Sequence, residues 1–306
     1  MLTKIKVVVR WPQRRCVMLN LFNAVRGYLG MALGLAITVA SATTALVLGS
    51  IWRALLPGRY NPVALIVVPW SWLVHFLCYR FIMGLKIKID PIPPEQEERA
   101  RVAYGPHPPL ELVPAFGYFA SLVSPKMKVV GRKDIVKGWL GFLIGKGAAA
   151  SGILFPIERD NHDQALKDIE EGLRLLEPGT VLFILPDRHR PSQKHVDASR
   201  AKHGERFPEV LLWETCMPDR GGLLAILRGY DRLKKPVQLL RFSAGFNRPM
   251  KGGAEITKLP GATLRYRVVE SDGAAFPRGE AEAGARLRAE WQEHHEDLAA
   301  YRQQRE

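Results

Sequence analysis

Between Gly27 and Trp52 the chain carries no charged residue. That stretch exceeds the roughly 20 residues a helix needs to cross the hydrocarbon core of a bilayer. It is too long, and starts too far from Met1, to read as a secretory signal. A second uncharged run follows from Tyr60 to Tyr79, containing Pro62, Pro69 and His75. Only the segment Arg53 to Arg59 separates the two, so a tight reversal and a helical hairpin are expected. Trp52, Trp70 and Trp72 suit the membrane interface. The prolines and aromatics of the second run leave a dip into one leaflet open beside a full crossing. The alternative to a membrane hairpin is a pair of helices buried in a soluble protein.

The charge distribution separates these readings. The chain has 44 Lys and Arg, 30 Asp and Glu, and a formal net charge of +14. Residues 1–89 hold eleven of the basic residues and no carboxylate, leaving 33 basic against 30 acidic from Asp90 onward. The excess therefore flanks the apolar runs, where Lys and Arg meet anionic headgroups at about 1 kcal/mol each. This points to a membrane surface and away from nucleic acid. Six basic residues precede the first run, which predicts a cytoplasmic N-terminus, with a complete hairpin returning the rest of the chain to the same side (the inner membrane, if bacterial). Cys16, Cys78 and Cys216 form no CxxC pair and fit a reducing compartment.

Residues 1–89 thus read as a membrane-anchoring hairpin and 90–306 as an α/β domain, joined by a polar, proline-rich linker over 90–102. Leu110 to Leu122 reads as a helix opened by Pro108 and Pro109, with Pro114 interrupting it. Ile153 to Ile157 is strand-like. Asn161 and Gln164 form a capping-box pattern, and Leu166, Ile169, Leu173 and Leu176 mark one face of a helix over 162–177. Pro178-Gly179 ends it before a strand over 181–185. A strand–helix–strand unit of this kind predicts parallel pairing with a right-handed crossover. Strands are also expected at Leu211–Met217 and Leu264–Val269. A helix is expected from Gly221, and a C-terminal one carrying Leu287, Trp291, Leu298 and Tyr301. The fold class is α/β, a mixed and largely parallel sheet flanked by helices, with the N-terminal membrane hairpin.

Three segments bear chemistry. They are Tyr104-Gly-Pro-His-Pro-Pro-Leu-Glu-Leu112, Gly152-Ile-Leu-Phe-Pro-Ile-Glu-Arg-Asp160 and Val181-Leu-Phe-Ile-Leu-Pro-Asp-Arg-His-Arg190. A histidine such as His107 can take a proton from a hydroxyl near neutral pH. Arg159 and the cluster Asp187, Arg188, His189, Arg190 follow strands whose ends share one sheet edge, where open α/β sheets bind ligands. Guanidinium groups there suit phosphate. In order and spacing these segments resemble the motif blocks of the glycerolipid acyltransferases, the 1-acylglycerol-3-phosphate acyltransferase type in particular. That family has a His-X4-Asp block, an Arg-Asp pair at a strand end and a later Pro-Glu-Gly-Thr-Arg. The segments Ser192–Gly204 and Leu211–Gly221, with Pro218 at the matching proline, are similar to its eukaryote-like branch. Here Leu112 stands at the family's aspartate, Glu111 lies one place before it, Asp187 replaces the glutamate and Arg188 replaces the glycine.

The resemblance implies a membrane-bound acyltransferase that uses no cofactor and no metal. His107 would be the base, with Glu111 as its orienting carboxylate or merely a residue favouring a helix N-terminus. Arg159 and Arg190 would hold the acceptor's phosphate, with Asp187, Arg188 and Pro218 completing the substrate site. The acceptor would be lysophosphatidic acid or a related lysophospholipid, and the donor acyl-CoA or acyl carrier protein. A catalytically inactive lipid-binding protein of the same fold is the alternative, supported by Leu112 and Arg188.

Overall fold

The computed structural model describes residues 11–56, 66–96, 98–132, 138–157, 162–187, 189–250 and 255–303. Helix α1 (Trp11–Leu55) contains the first apolar run. Among the described residues, one helical stretch, Met18–Leu55, is long and apolar enough to cross a bilayer. Met18, Phe22 and Leu29 on it are exposed. Helix α2 (Val67–Leu73) follows, with Pro69 in its first turn, where its missing N–H costs nothing. It continues as a π-helical segment (Val74–Met83) that stops at Gly84, whose φ of 67° favours glycine. The two helices run antiparallel. Gly30 faces Met83 and Cys78, Gly34 faces Val74, and the Trp70 indole N–H donates to Thr38 Oγ1 at 3.1 Å. The reversal expected over 53–59 lies partly outside the described residues.

The second run also packs inward. Val74, Cys78, Tyr79 and Met83 are buried in one core with residues of the α/β sheet. The Trp72 N–H reaches Ser121 Oγ at 3.2 Å.

The sheet comprises β1 (Lys86–Ile89), β2 (Ala100–Tyr104), β3 (Met127–Arg132), β4 (Leu154–Ile157), β5 (Val181–Ile184), β6 (Val237–Phe246) and β7 (Thr263–Asp272). The spatial order is β1-β7-β6-β2-β5-β3-β4. Every neighbouring pair is parallel except β6 with β7. Interleaved in sequence are α3 (Val113–Val123), α4 (Gly138–Ser151), α5 (His162–Arg174), α6 (Gln193–His203), α7 (Arg220–Arg232) and α8 (Glu280–Gln303). The mixed, largely parallel α/β class expected from the sequence is the one observed.

Alternate residues of the central strands feed two apolar layers. Val181 and Phe183 of β5 face the layer containing α3 and the π-helical segment. Leu182 and Ile184 face the layer containing α5, α7 and α8. All four are buried, as a central parallel strand requires.

Several local expectations need correction. Strands β4 and β5 are parallel but not neighbours, because β3 lies between them. The linker assignment of 90–102 overran into β2, a central strand. Leu211–Met217 is not a strand: a 3₁₀ turn (Pro208–Leu212) leads into irregular backbone, with Trp213 fully buried. Helix α3 starts at Val113 after a 3₁₀ turn (Leu110–Leu112) and carries Pro114 in its first turn, so the proline opens the helix and does not interrupt it. The Asn161 cap lies outside the described residues.

Candidate active site

The pairing of β2 with β5 positions the site. Tyr104 lies opposite Ile184 at the C-terminal ends of these parallel strands. Three residues further along each chain come His107 and Asp187, and the His107 N–H donates to Asp187 Oδ2 at 3.1 Å. Gly105 makes the turn possible. A Cβ there would lie 2.3 Å from the Phe242 carbonyl oxygen, and backbone of β6 cannot yield as a flexible side chain could. Asp187 also bridges to Pro218, and the Asp219 N–H donates to Pro186 O at 2.9 Å. Pro218 therefore braces the backbone that presents Asp187.

Asp187 is buried at 1% exposure, and its Oδ1 has no hydrogen-bond partner. Removal from water raises its carboxyl pKa from 3.8 to about 8, against the opposing pull of the His107 N–H and its own backbone N–H. Near neutral pH the group is mostly a neutral acid beside the histidine.

The His107 ring is half-buried. Its Nδ1 lies 3.1 Å from the Pro108 carbonyl oxygen. A carbonyl only accepts, so this contact places the proton on Nδ1 and leaves the lone pair on Nε2, the state a general base needs. His107 lines a cleft with about 670 Å³ of open space. Part of its lining is apolar, with Phe116, Phe246, Met250 and Tyr266; another part, the polar wall, carries Glu214, Thr215, His294 and His295. The cleft opens where β6 runs on to Phe246 while β2 stops opposite Arg241.

Leu112, at the family's aspartate position, is 3% exposed and packs in the core with Ala115 and Phe116 of α3. Glu111 is half-buried, its backbone carbonyl accepting from the Tyr79 hydroxyl at 2.6 Å. Its carboxylate is close enough to Arg190 for their charges to attract. Arg190 is exposed, and its carbonyl lies 3.1 Å from His195 Nδ1, whose ring stacks on His189 at 4.6 Å. The structure thus gathers His107, Glu111, Asp187, Arg190 and Pro218 at one sheet edge. Arg159 and Arg188 lie outside the described residues; β4, which precedes Arg159, ends at the same edge.

Sequence reasoning did not single out the polar wall of the cleft. Glu214 forms a two-pronged ion pair with Arg302 near the end of α8, at 2.6 and 2.9 Å. His294 and His295 are buried on the same helix. Burial and neighbouring cations hold both imidazoles well below their usual pKa, so both are neutral. Residues eighty positions apart offer no spacing signal. Among the described residues, no group of three or more His, Cys, Asp or Glu could hold a metal ion.

The seven-stranded, mostly parallel sheet, its flanking helices and the long N-terminal helix form an α/β fold that is also seen in a solved acyltransferase structure. The chain is similar to the crystal structure of the 1-acyl-sn-glycerophosphate (LPA) acyltransferase, PlsC, from Thermotoga maritima, with a TM-score of 0.56. The match covers 91% of this chain and 98% of that one at 12% sequence identity, which establishes a common fold. No family model and no curated protein matches the sequence.

Proposed function

We propose that the protein is a membrane-bound acyltransferase that moves an acyl chain from a thioester, acyl-CoA or acyl carrier protein, to the free hydroxyl of lysophosphatidic acid or a related lysophospholipid. The observation that carries this reading is the placement of His107, its Nδ1 directed to the Pro108 carbonyl, in the lining of a largely apolar cleft. The acceptor oxygen attacks the thioester carbonyl carbon as its proton passes to Nε2. The C–S bond then breaks, and the departing thiolate takes that proton. The apolar wall suits the acyl chain. Arg190, with Arg159 and Arg188, would hold the acceptor's phosphate, and Glu111 would keep Arg190 in place or help orient His107. The apolar outer face of α1 would seat the protein in the bilayer, with the catalytic domain on the cytoplasmic side.

Leu112 favours a second reading. The carboxylate of the family's first block is replaced by a core side chain, as it would be in a lipid-binding protein without turnover. Purified protein in detergent, supplied with labelled acyl-CoA and a panel of lysophospholipids, separates the two. Diacylated product supports acyl transfer; tight lysolipid binding without product supports the binding protein.

A further inference from the structure

We propose that the Thr215 hydroxyl donates a hydrogen bond to the acyl carbonyl oxygen of the substrate, making Thr215 a catalytic residue that stabilises the oxyanion. The inference rests on the acyl-transfer reading above and starts from a chain of forced hydrogen-bond roles. The Glu214 backbone N–H donates to His295 Nδ1 at 3.4 Å, so Nδ1 is unprotonated. The imidazole is buried and held neutral by its apolar setting and by the nearby cations Arg302 and Arg200. Its single proton therefore sits on Nε2, which lies 3.3 Å from Thr215 Oγ1. The threonine oxygen accepts there and must send its own proton elsewhere. The opposite arrangement, with the hydroxyl donating to Nε2, would set an Nδ1–H against the Glu214 N–H.

Among the described residues, the Thr215 hydroxyl has no other partner, and Thr215 lines the cleft that His107 lines. Backbone contacts link their two segments. Pro218, three residues after Thr215, bridges to Asp187, and Asp187 accepts from the His107 N–H. The His295 ring is itself fixed, stacked on Trp213 at 5.9 Å and 5°. The donor is thus oriented before substrate arrives, which is what makes such a group effective.

The chemistry of this wall selects a neutral oxygen. Arg302 is taken up by Glu214, and among the described residues that line the cleft there is no Arg or Lys to draw a phosphate. A lone hydroxyl donor in a largely apolar cleft suits a carbonyl. As the acceptor oxygen bonds to the carbonyl carbon, the C=O electron pair moves onto oxygen, and the Thr215 O–H strengthens its bond to that anion. When the C–S bond breaks, the pair returns and the thiolate takes the proton held on His107.

The test compares Thr215→Val, which keeps the branched shape and loses the hydroxyl, with Thr215→Ser, which restores it. Thr215→Val should lower kcat about 100- to 1,000-fold with little change in the donor's KM, and Thr215→Ser should recover most of it. A second readout needs no turnover. An acyl-CoA ketone analogue, with methylene replacing the thioester sulfur, keeps the carbonyl and cannot transfer its chain. Its affinity should fall about fivefold in Thr215→Val, as for one neutral hydrogen bond. If Val is not tolerated, as judged by melting temperature, Thr215→Ala carries the same expectation.

A kcat within about twofold of wild type together with unchanged analogue binding would overturn the proposal. So would equal losses in the Val and Ser variants. Thr215-dependent analogue binding in a wild type that turns over no thioester would uphold carbonyl recognition while sinking the acyl-transfer reading.

Discussion

Replacing Asp187 by Asn isolates the cost of the buried carboxyl. The carboxyl pKa is raised to about 8, so between pH 4 and 8 the native state binds a proton that the unfolded state releases. Stability from this group is complete below the unfolded carboxylate's pKa and falls as pH rises through the folded one. The slope is about 1.4 kcal/mol per pH unit, flattening near the folded pKa. From pH 6.5 to 8.0 the loss is therefore about 1.5–2 kcal/mol. His294 and His295 titrate the other way, because burial lowers both. Their contribution is lost as pH falls through the unfolded imidazole's pKa of about 6.5, and it is common to both proteins, so it cancels from the comparison. Asn keeps an oxygen for the His107 N–H and removes the ionisation. At an unfolding entropy of about 2.1 cal/mol/K per residue, 1.5–2 kcal/mol in 306 residues corresponds to roughly 2–3 °C. Thermal melts in detergent should show Tm of Asp187→Asn gaining that much on wild type between pH 6.5 and 8.0. Parallel profiles, or a wild type that gains on the variant, would refute the account of a buried, mostly neutral Asp187.

His107→Ala should remove nearly all acyl transfer, and Glu111→Gln should cost a large part of it if Glu111 orients the base. The double mutant should then be little worse than His107→Ala, whereas a near-normal Glu111→Gln would leave the Pro108 carbonyl as the orienting group. Arg190→Ala should raise the KM for the lysophospholipid about 10- to 100-fold, as expected for loss of a charge-assisted contact of about 1.5–3 kcal/mol; a rise confined to the donor's KM would reverse its assignment. Gly105→Ala should lower both Tm and kcat, since its Cβ would press on the Phe242 carbonyl oxygen at 2.3 Å, two residues before His107. Unchanged kcat there would show that the β2 turn does not set the position of the histidine.

Local patterns in the chain determined much of this architecture. An uncharged run of membrane-spanning length dictates a long helix, and the spacing of Leu287, Trp291 and Leu298 marks the buried face of α8. The aspartate–arginine cluster could be placed after a strand because it follows a short apolar run. Other features were settled only by long-range contacts. The linker reading failed at β2 because Ala100–Tyr104 gains its strand partners from β5 and β6, about 80 and 137 residues away. Leu211–Met217 is apolar for a different reason: Trp213 fills the core beneath irregular backbone. The carbonyl that orients His107 is a backbone group, whose availability depends on a turn and not on residue type. The polar wall joins Glu214 and Thr215 to His295 across the domain, and its proton positions follow from which atoms meet there. The insertion of β3 between β4 and β5 has the same origin. Parallel strands are joined by crossovers long enough to pass over a neighbour, so local sequence records each strand but not which strand lies beside it.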